Sequence, residues 1–217
     1  MLAKTVCANS QSIKVCSTLF QPKNPPTLKF RRLTLRFQSK GRWSAEHRDF
    51  ERDIIAMAAD EGMGLCPWGA LGGGHFKSDA QRKEQEAGQG RNMNKASEAA
   101  IKISKVLEGI AQKKNTQITS VALAYVMSKT PYVFPIVGGR KIEHLKGNIE
   151  GLSLDLTDEE IKEIEDATAF DIGFPQNFLG GPGGVKNPSD IWLVNIGGVH
   201  DHVLAKRPIG PAKEQGE

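Results

Sequence analysis

The stretch Val133–Leu152, VFPIVGGRKIEHLKGNIEGL, decides the fold of this chain. A short β-rich run (Val133, Phe134, Ile136, Val137) meets Gly138 and Gly139, and two cations follow, Arg140 and Lys141. Helical spacing through Ile142, Leu145 and Ile149 then predicts a helix over about 142–150. A strand, a glycine turn, a cation and a helix N-terminus together suit a phosphate. Glycines let backbone N–H groups approach the anion, the helix end favours negative charge, and an arginine can fork onto phosphate oxygens. An ordinary strand-to-helix turn with solvated surface cations has the same pattern, and the spacing alone leaves both readings open.

Working outward, Phe50, Ile54, Met57 and Ala58 recur at helical spacing and predict a helix over about 48–60, ended by Gly62. Met63–Trp68 reads as a second short strand, followed by a glycine-rich loop over Gly69–Gly74. The polar stretch His75–Lys95 reads as a long loop. Ile103, Val106, Leu107, Ile110 and Ala111 mark one face of a helix over about 96–114. Thr119 is the expected cap of the next helix, with Ala122, Tyr125 and Val126 buried and Pro131 as its stop. Thr157 and Glu160 have capping-box spacing ahead of Ile161 and Ile164. Strands alternating with helices argue for parallel β/α units. A third strand near Thr34–Gln38 is weakly signalled, and beyond Phe170 the Gly/Pro-rich composition suits an irregular tail.

Composition bounds the possibilities. The chain has 217 residues, 39% hydrophobic, and a net charge of +4. From Met1 to Ala45 there is no acidic residue, whereas nine cations occur there, from Lys4 to Arg42. The basic character therefore belongs to an appendage, and the remainder is slightly acidic. Without interleaved aromatic platforms these cations do not suit nucleic acid. Cys7, Cys16 and Cys66 lack CxxC spacing, which argues against a disulfide framework or zinc site and for a reducing compartment. No apolar run reaches the ~18–20 residues of a membrane span, so no membrane partner is expected.

The GRWSAEHRDFERDI segment (Gly41–Ile54), MGLCPWGALGGGHF (Met63–Phe76), the phosphate turn and FDIGFPQNF (Phe170–Phe178) resemble, in order, the aldo-keto reductases. The likeness is to the C-terminal part of the family's fungal aryl-alcohol dehydrogenase and norsolorinic acid reductase branch. That resemblance implies an α/β fold, a partial (β/α)8 TIM barrel holding the last two or three βα units. Three regions are expected: a basic segment over 1–40, disordered or not family-derived; the NADP-binding part over 41–178; and a Gly/Pro-rich tail over 179–217. The basic segment reads as an organellar transit peptide, as a disordered tail, or as a terminus substituted by a wrong exon or start site. The expected location is cytoplasmic, or mitochondrial if that segment is a transit peptide.

The family's chemistry is hydride transfer between NADP(H) and a carbonyl. The resemblance implies a Tyr acid/base, a Lys that tunes it, an Asp paired with the Lys and a His orienting the carbonyl. All four belong to early strands, upstream of the matched stretch, so no catalytic residue is expected here. Tyr125 and Tyr132 are expected to be packing residues, and neither His47, His75, His144, His200 nor His202 accompanies a Tyr or Lys at a strand end. The resemblance assigns Gly138, Gly139, Arg140 and Lys141 to the loop that meets the adenosine phosphate. It places His144 near that phosphate and Asn148 at adenine. Gly147 stands where a Glu or Gln is usual, and Cys66 and Pro67 where many relatives have a Tyr and a Ser. Trp43 is a candidate aromatic wall of the pocket or a core anchor. No metal site is expected. The implied partners are the dinucleotide and a small aromatic carbonyl or alcohol.

Three functional readings remain. The chain is a truncated reductase keeping part of the cofactor site, an oxidoreductase completed by a missing half, or a non-catalytic binding or regulatory module.

Overall fold

Three short extended segments lie side by side and run parallel. Arg42 bridges Trp68, Leu65 bridges Val133, and Trp68 bridges Ile136, which places the 65–68 segment in the middle. The bonds are well formed: Trp43 N–H donates to the Trp68 carbonyl at 3.1 Å and Ile136 N–H to the Pro67 carbonyl at 2.8 Å. The computed structural model describes residues 41–84, 96–139, 141–181, 184–185, 190–198, 208 and 210. Among these the pairing consists of isolated bridges, and the weakly signalled Thr34–Gln38 strand lies outside them. The segment at Arg42–Trp43, which spacing did not reveal, takes the third place.

Eight helices occur among the described residues: α1 (Ile54–Asp60), α2 (Asp79–Glu84), α3 (Glu98–Lys113), α4 (Ile118–Ser128), α5 (Ile142–Glu150), α6 (Asp158–Asp166), α7 (Gln176–Gly180) and α8 (Trp192–Gly197). Residues 48–60 are not one continuous helix, since a 3-10 turn over Asp49–Glu51 precedes α1. The polar 75–95 stretch is not all loop. Ser78 and Gln81 exchange side-chain-to-backbone hydrogen bonds (3.1 and 3.2 Å), a reciprocal cap that starts α2. The tail likewise contains α7 and α8 rather than irregular chain alone.

The anticipated stripe of α3 is buried at Ile103, Leu107, Ile110 and Ala111, and Ser97 caps the helix by accepting from Ala100 N–H at 2.9 Å. In α6 the capping box is complete and Ile164 is fully buried. α4 differs from the amphipathic helix expected. It is buried from Ser120 through Val126, all the way round, and its cap position is Gln117 rather than Thr119. It packs between α3 and α5, while α6 packs on α3.

α5 has the expected bounds, but its apolar stripe is outside. Ile142, Leu145 and Ile149 are 76%, 45% and 52% exposed. What α5 buries is Gly147 and Asn148. The close approach explains why: a Cβ on Gly147 would sit 2.5 Å from Gln117 Oε1, and Ser120 Oγ donates to the Gly147 carbonyl at 2.8 Å. Small residues and hydrogen bonds, not an apolar seam, hold α5 on the start of α4.

Of the two readings of Trp43, pocket wall or core anchor, the core position is the one observed. The indole is fully buried and stacks on Phe50 with ring centroids 5.6 Å apart. One cluster joins Trp43, Leu65 and Val137 to the inner residues of α3, α4 and α6.

Candidate functional site

Because the three segments are parallel, the turns that leave them gather at one end. These are the Ser44–His47 turn, the Gly69–Gly74 loop and the turn from Gly138 into α5. Ligand sites of parallel α/β arrays lie at this carboxyl end of the strands.

At the third turn Val137 is buried, and the chain then emerges so that Gly138, Gly139 and Lys141 are exposed. A Cβ on Gly139 would lie 2.8 Å from His144 Cβ, so the loop can fold back over the first turn of α5 only with glycine there. Open space surrounds Gly138. Lys141 occupies the cap position of α5 in extended conformation, and its side chain makes no capping hydrogen bond. The helix end is thus presented with a cation and without a side-chain acceptor, a combination that suits an anion. His144 is exposed one turn on, its N–H donating to the Lys141 carbonyl at 3.2 Å. Asn148, a further turn along, is buried beside Gly147. The structure therefore brings Gly138, Gly139, Lys141 and His144 to one exposed corner and sets Asn148 behind it. Arg140 lies outside the described residues.

The glycine loop owes its path to backbone that other residues rarely adopt, with positive φ at Gly69, Gly72, Gly73 and Gly74. Gly72 is the most constrained, since a Cβ there would also sit 2.8 Å from the ring of Phe76, itself buried. Gly72→Ala is expected to cost about 1–3 kcal/mol through strain and overpacking. Gly138→Ala, in open space, should be close to neutral. Urea titration of both variants checks this, and equal midpoints would refute the contrast.

Besides His144, the tyrosines and the remaining described histidines are spread over several elements. Tyr125 is fully buried in α4, and burial together with the charge of Glu51 pushes its phenol well above the usual value. A shift in that direction takes the phenol further from proton exchange near neutrality. Tyr132 is not the packing residue expected: it is exposed, at φ 61°. His47 Nε2 is 3.7 Å from Glu46 Oε2, His75 closes the glycine loop, and His200 and His202 lie outside the described residues. Cys66 is half-buried. Among the described residues no group of three His, Cys, Asp or Glu side chains could hold a metal, and no helix is long and apolar enough to cross a membrane.

A charged cluster that spacing did not reveal sits behind the first turn. Arg48 donates to both carboxylate oxygens of Glu51 (3.1 and 2.8 Å), and Lys129 reaches Glu51 at 3.1 Å and also pairs with Glu165. Burial alone would push the Glu51 carboxyl up, but hydrogen bonding from Arg48 and the charge of Lys129 outweigh it and hold it below its usual value. Arg48 is held cationic by the same pairing against its own burial. Arg48 and Arg52 also lie over the ring of Phe170, 4.6 and 5.0 Å from its centre. The cluster fastens the 48–51 turn to the ends of α4 and α6.

Residues 38–169 match the aldo/keto reductase family. The chain is 48% identical over 181 residues to norsolorinic acid reductase B of Dothistroma septosporum, covering 80% of this chain and 46% of that protein. It is 49% identical over 184 residues to aryl-alcohol dehydrogenase GME11368 of Pestalotiopsis microspora, covering 82% of this chain and 45% of the relative. Among solved structures, it is similar to the glycerol dehydrogenase AKR11B4 from Gluconobacter oxydans, with TM-score 0.47 and 21% identity over 58% of this chain and 40% of that one. The chain thus spans about half the length of the curated relatives it matches. A match that takes in all three parallel segments and the helices between them makes this chain a member of the aldo/keto reductase family.

Proposed function

We propose that the chain is the cofactor-holding part of an NADP(H)-dependent, aryl-alcohol dehydrogenase-like oxidoreductase, a partial (β/α)8 barrel without the catalytic Tyr, Lys, Asp and His. The observation that carries this reading is the exposed corner at Gly138, Gly139 and Lys141, where a cation and an uncapped helix end meet at the carboxyl end of a parallel array. The phosphate end of a dinucleotide fits this corner. Backbone and Lys141 would hold the adenosine phosphate, with Arg140 as the planar reader of the 2′-phosphate and His144 beside it. Asn148 is less well placed for adenine, because it is buried against α4. The nicotinamide, when bound, supplies the hydride, and the chain's own residues orient and neutralise the phosphate. An aromatic carbonyl or alcohol substrate follows from the relatives' names alone.

Titration of the chain with NADP and NAD at fixed low salt tests the reading. A charge-assisted contact to the 2′-phosphate contributes ~1.5–3 kcal/mol, or roughly a ten- to hundred-fold preference for NADP. Arg140→Ala should remove most of that preference and leave weak NAD binding little changed. Lys141→Ala identifies whether the second cation shares the contact. Equal affinity of the unaltered chain for the two dinucleotides would reduce the corner to an ordinary surface turn.

A further inference from the structure

Glycine weakens the interior of a helix, yet α5 carries one there, Gly147, where the sequence resemblance places a Glu or Gln. The space a side chain would enter is taken by another residue. The three heavy atoms nearest to a Cβ built on Gly147 all belong to the carboxamide of Gln117, with Oε1 at 2.5 Å, Cδ at 3.0 Å and Nε2 at 3.3 Å. Gln117 stands at the cap position of α4, but its side chain makes no capping hydrogen bond there. That side chain reaches across to α5 instead. Ser120 keeps the two helices in this register by donating to the Gly147 carbonyl at 2.8 Å. His144 lies one turn before Gly147 on the same face of α5, next to the corner formed by Gly138, Gly139 and Lys141. Both His144 and Gln117 are exposed, whereas the amide of Asn148 is buried. Of these two amides, Gln117 is the one that a ligand lying along this face would meet.

We propose that Gln117 reads the adenine base of the dinucleotide, its carboxamide standing in, from α4, for a side chain that α5 lacks at Gly147. The assignment rests on the phosphate reading of the corner and extends it to the base. A ligand anchored by its adenosine phosphate at the start of α5 has His144 beside it after one turn and Gln117 after the next. A glutamine carboxamide pairs with adenine by accepting from the 6-amino group and donating to N7. Thr119 Oγ1 donates to Gln117 Oε1 at 3.4 Å, a long bond that holds the amide only weakly. The oxygen keeps a second lone pair for the amino group. Hypoxanthine carries an oxygen in place of that amino group, so acceptor would face acceptor and the pairing fails. Glycine at 147 is what makes the arrangement possible, because any Cβ there would displace the amide.

The test titrates the full chain, at fixed low salt, with NADP and with its analogue in which hypoxanthine replaces adenine. The chain is expected to bind NADP about five- to ten-fold more tightly than the analogue. Gln117→Ser supplies α4 with a preferred cap residue, so the fold is kept. It should bring the two ligands to within about two-fold of each other while the preference for NADP over NAD stays in place. Adding Gly147→Gln to Gln117→Ser returns an amide to the same place from α5 and should restore the preference for adenine. Circular dichroism melts show that each variant is folded. Equal affinity of the unaltered chain for NADP and the analogue overturns the assignment. So does a base preference that survives Gln117→Ser, or a folded double variant that fails to recover it. Loss of the NADP-over-NAD preference with the base preference intact strikes the phosphate reading and leaves Gln117 standing. A folded chain that binds neither dinucleotide overturns both.

Discussion

Trp43→Ala is expected to cost about 3–5 kcal/mol of unfolding free energy, the range for removing a large aromatic side chain from a core. The indole is fully buried, stacks nearly parallel to Phe50, and donates through Nε1 to Glu51 at 3.3 Å. Its backbone N–H also anchors the first extended segment to Trp68, so the cavity would open where the array meets the core. Trp43→Phe keeps a stacked ring and loses the indole donor, and should cost much less. Trp68→Ala, at an indole that is 45% exposed, should have a small effect on the chain alone. The three urea midpoints decide the matter. A Trp43→Ala midpoint equal to that of Trp68→Ala would contradict the core position assigned here.

Glu51→Gln is expected to be comparably severe, at about 3–5 kcal/mol, because removing one partner of a buried ion pair strands the others. Arg48 and Lys129 would then share Glu165 as their remaining carboxylate in the cluster. The change also has a signature in pH. The Glu51 carboxyl is held below its ordinary value of 4.5 in the folded chain, so its contribution is complete above that value. It is lost as pH falls through the lower folded value. Wild-type stability should therefore drop on acidification below about pH 4.5, and Glu51→Gln should remove part of that slope. Thermal melts of both proteins between neutral and acid pH measure it. An equal slope in the two would remove Glu51 from the account of acid sensitivity.

How much of this was legible depended on whether a residue's role is written locally. α3 and α6 could be read because each pairs a side-chain cap with a buried stripe, and both signals lie within a few residues. The cap of α2 was equally local, Ser78 and Gln81 three apart, but the polar composition around it hid it. α4 misled because burial all round erases the periodicity that distinguishes an inner face. α5 misled in the opposite way. Its apolar stripe is real, but the side that packs is made of Gly147 and Asn148, which hydropathy does not mark. The bounds of α5, Ile142–Glu150, accord with the sequence pattern. The Arg48–Glu51–Lys129–Glu165 cluster could not be read, since tertiary folding alone unites three regions far apart in the chain.

The enclosure of α4 has a further consequence, for how the molecule opens. A helix packed on one side only can detach while the rest of a core stays shut. With Ser120–Val126 covered on every side, α4 has no such route. Its backbone amides meet solvent only when α3, α5 and the array part from it together, so local and global opening become the same event there. The start of α4 is also what holds α5, through Gln117 and Ser120. The corner at Gly138 and Lys141 is thus mounted on an element that is buried through Ser120–Val126. The footing of that turn is therefore as durable as the core beneath it.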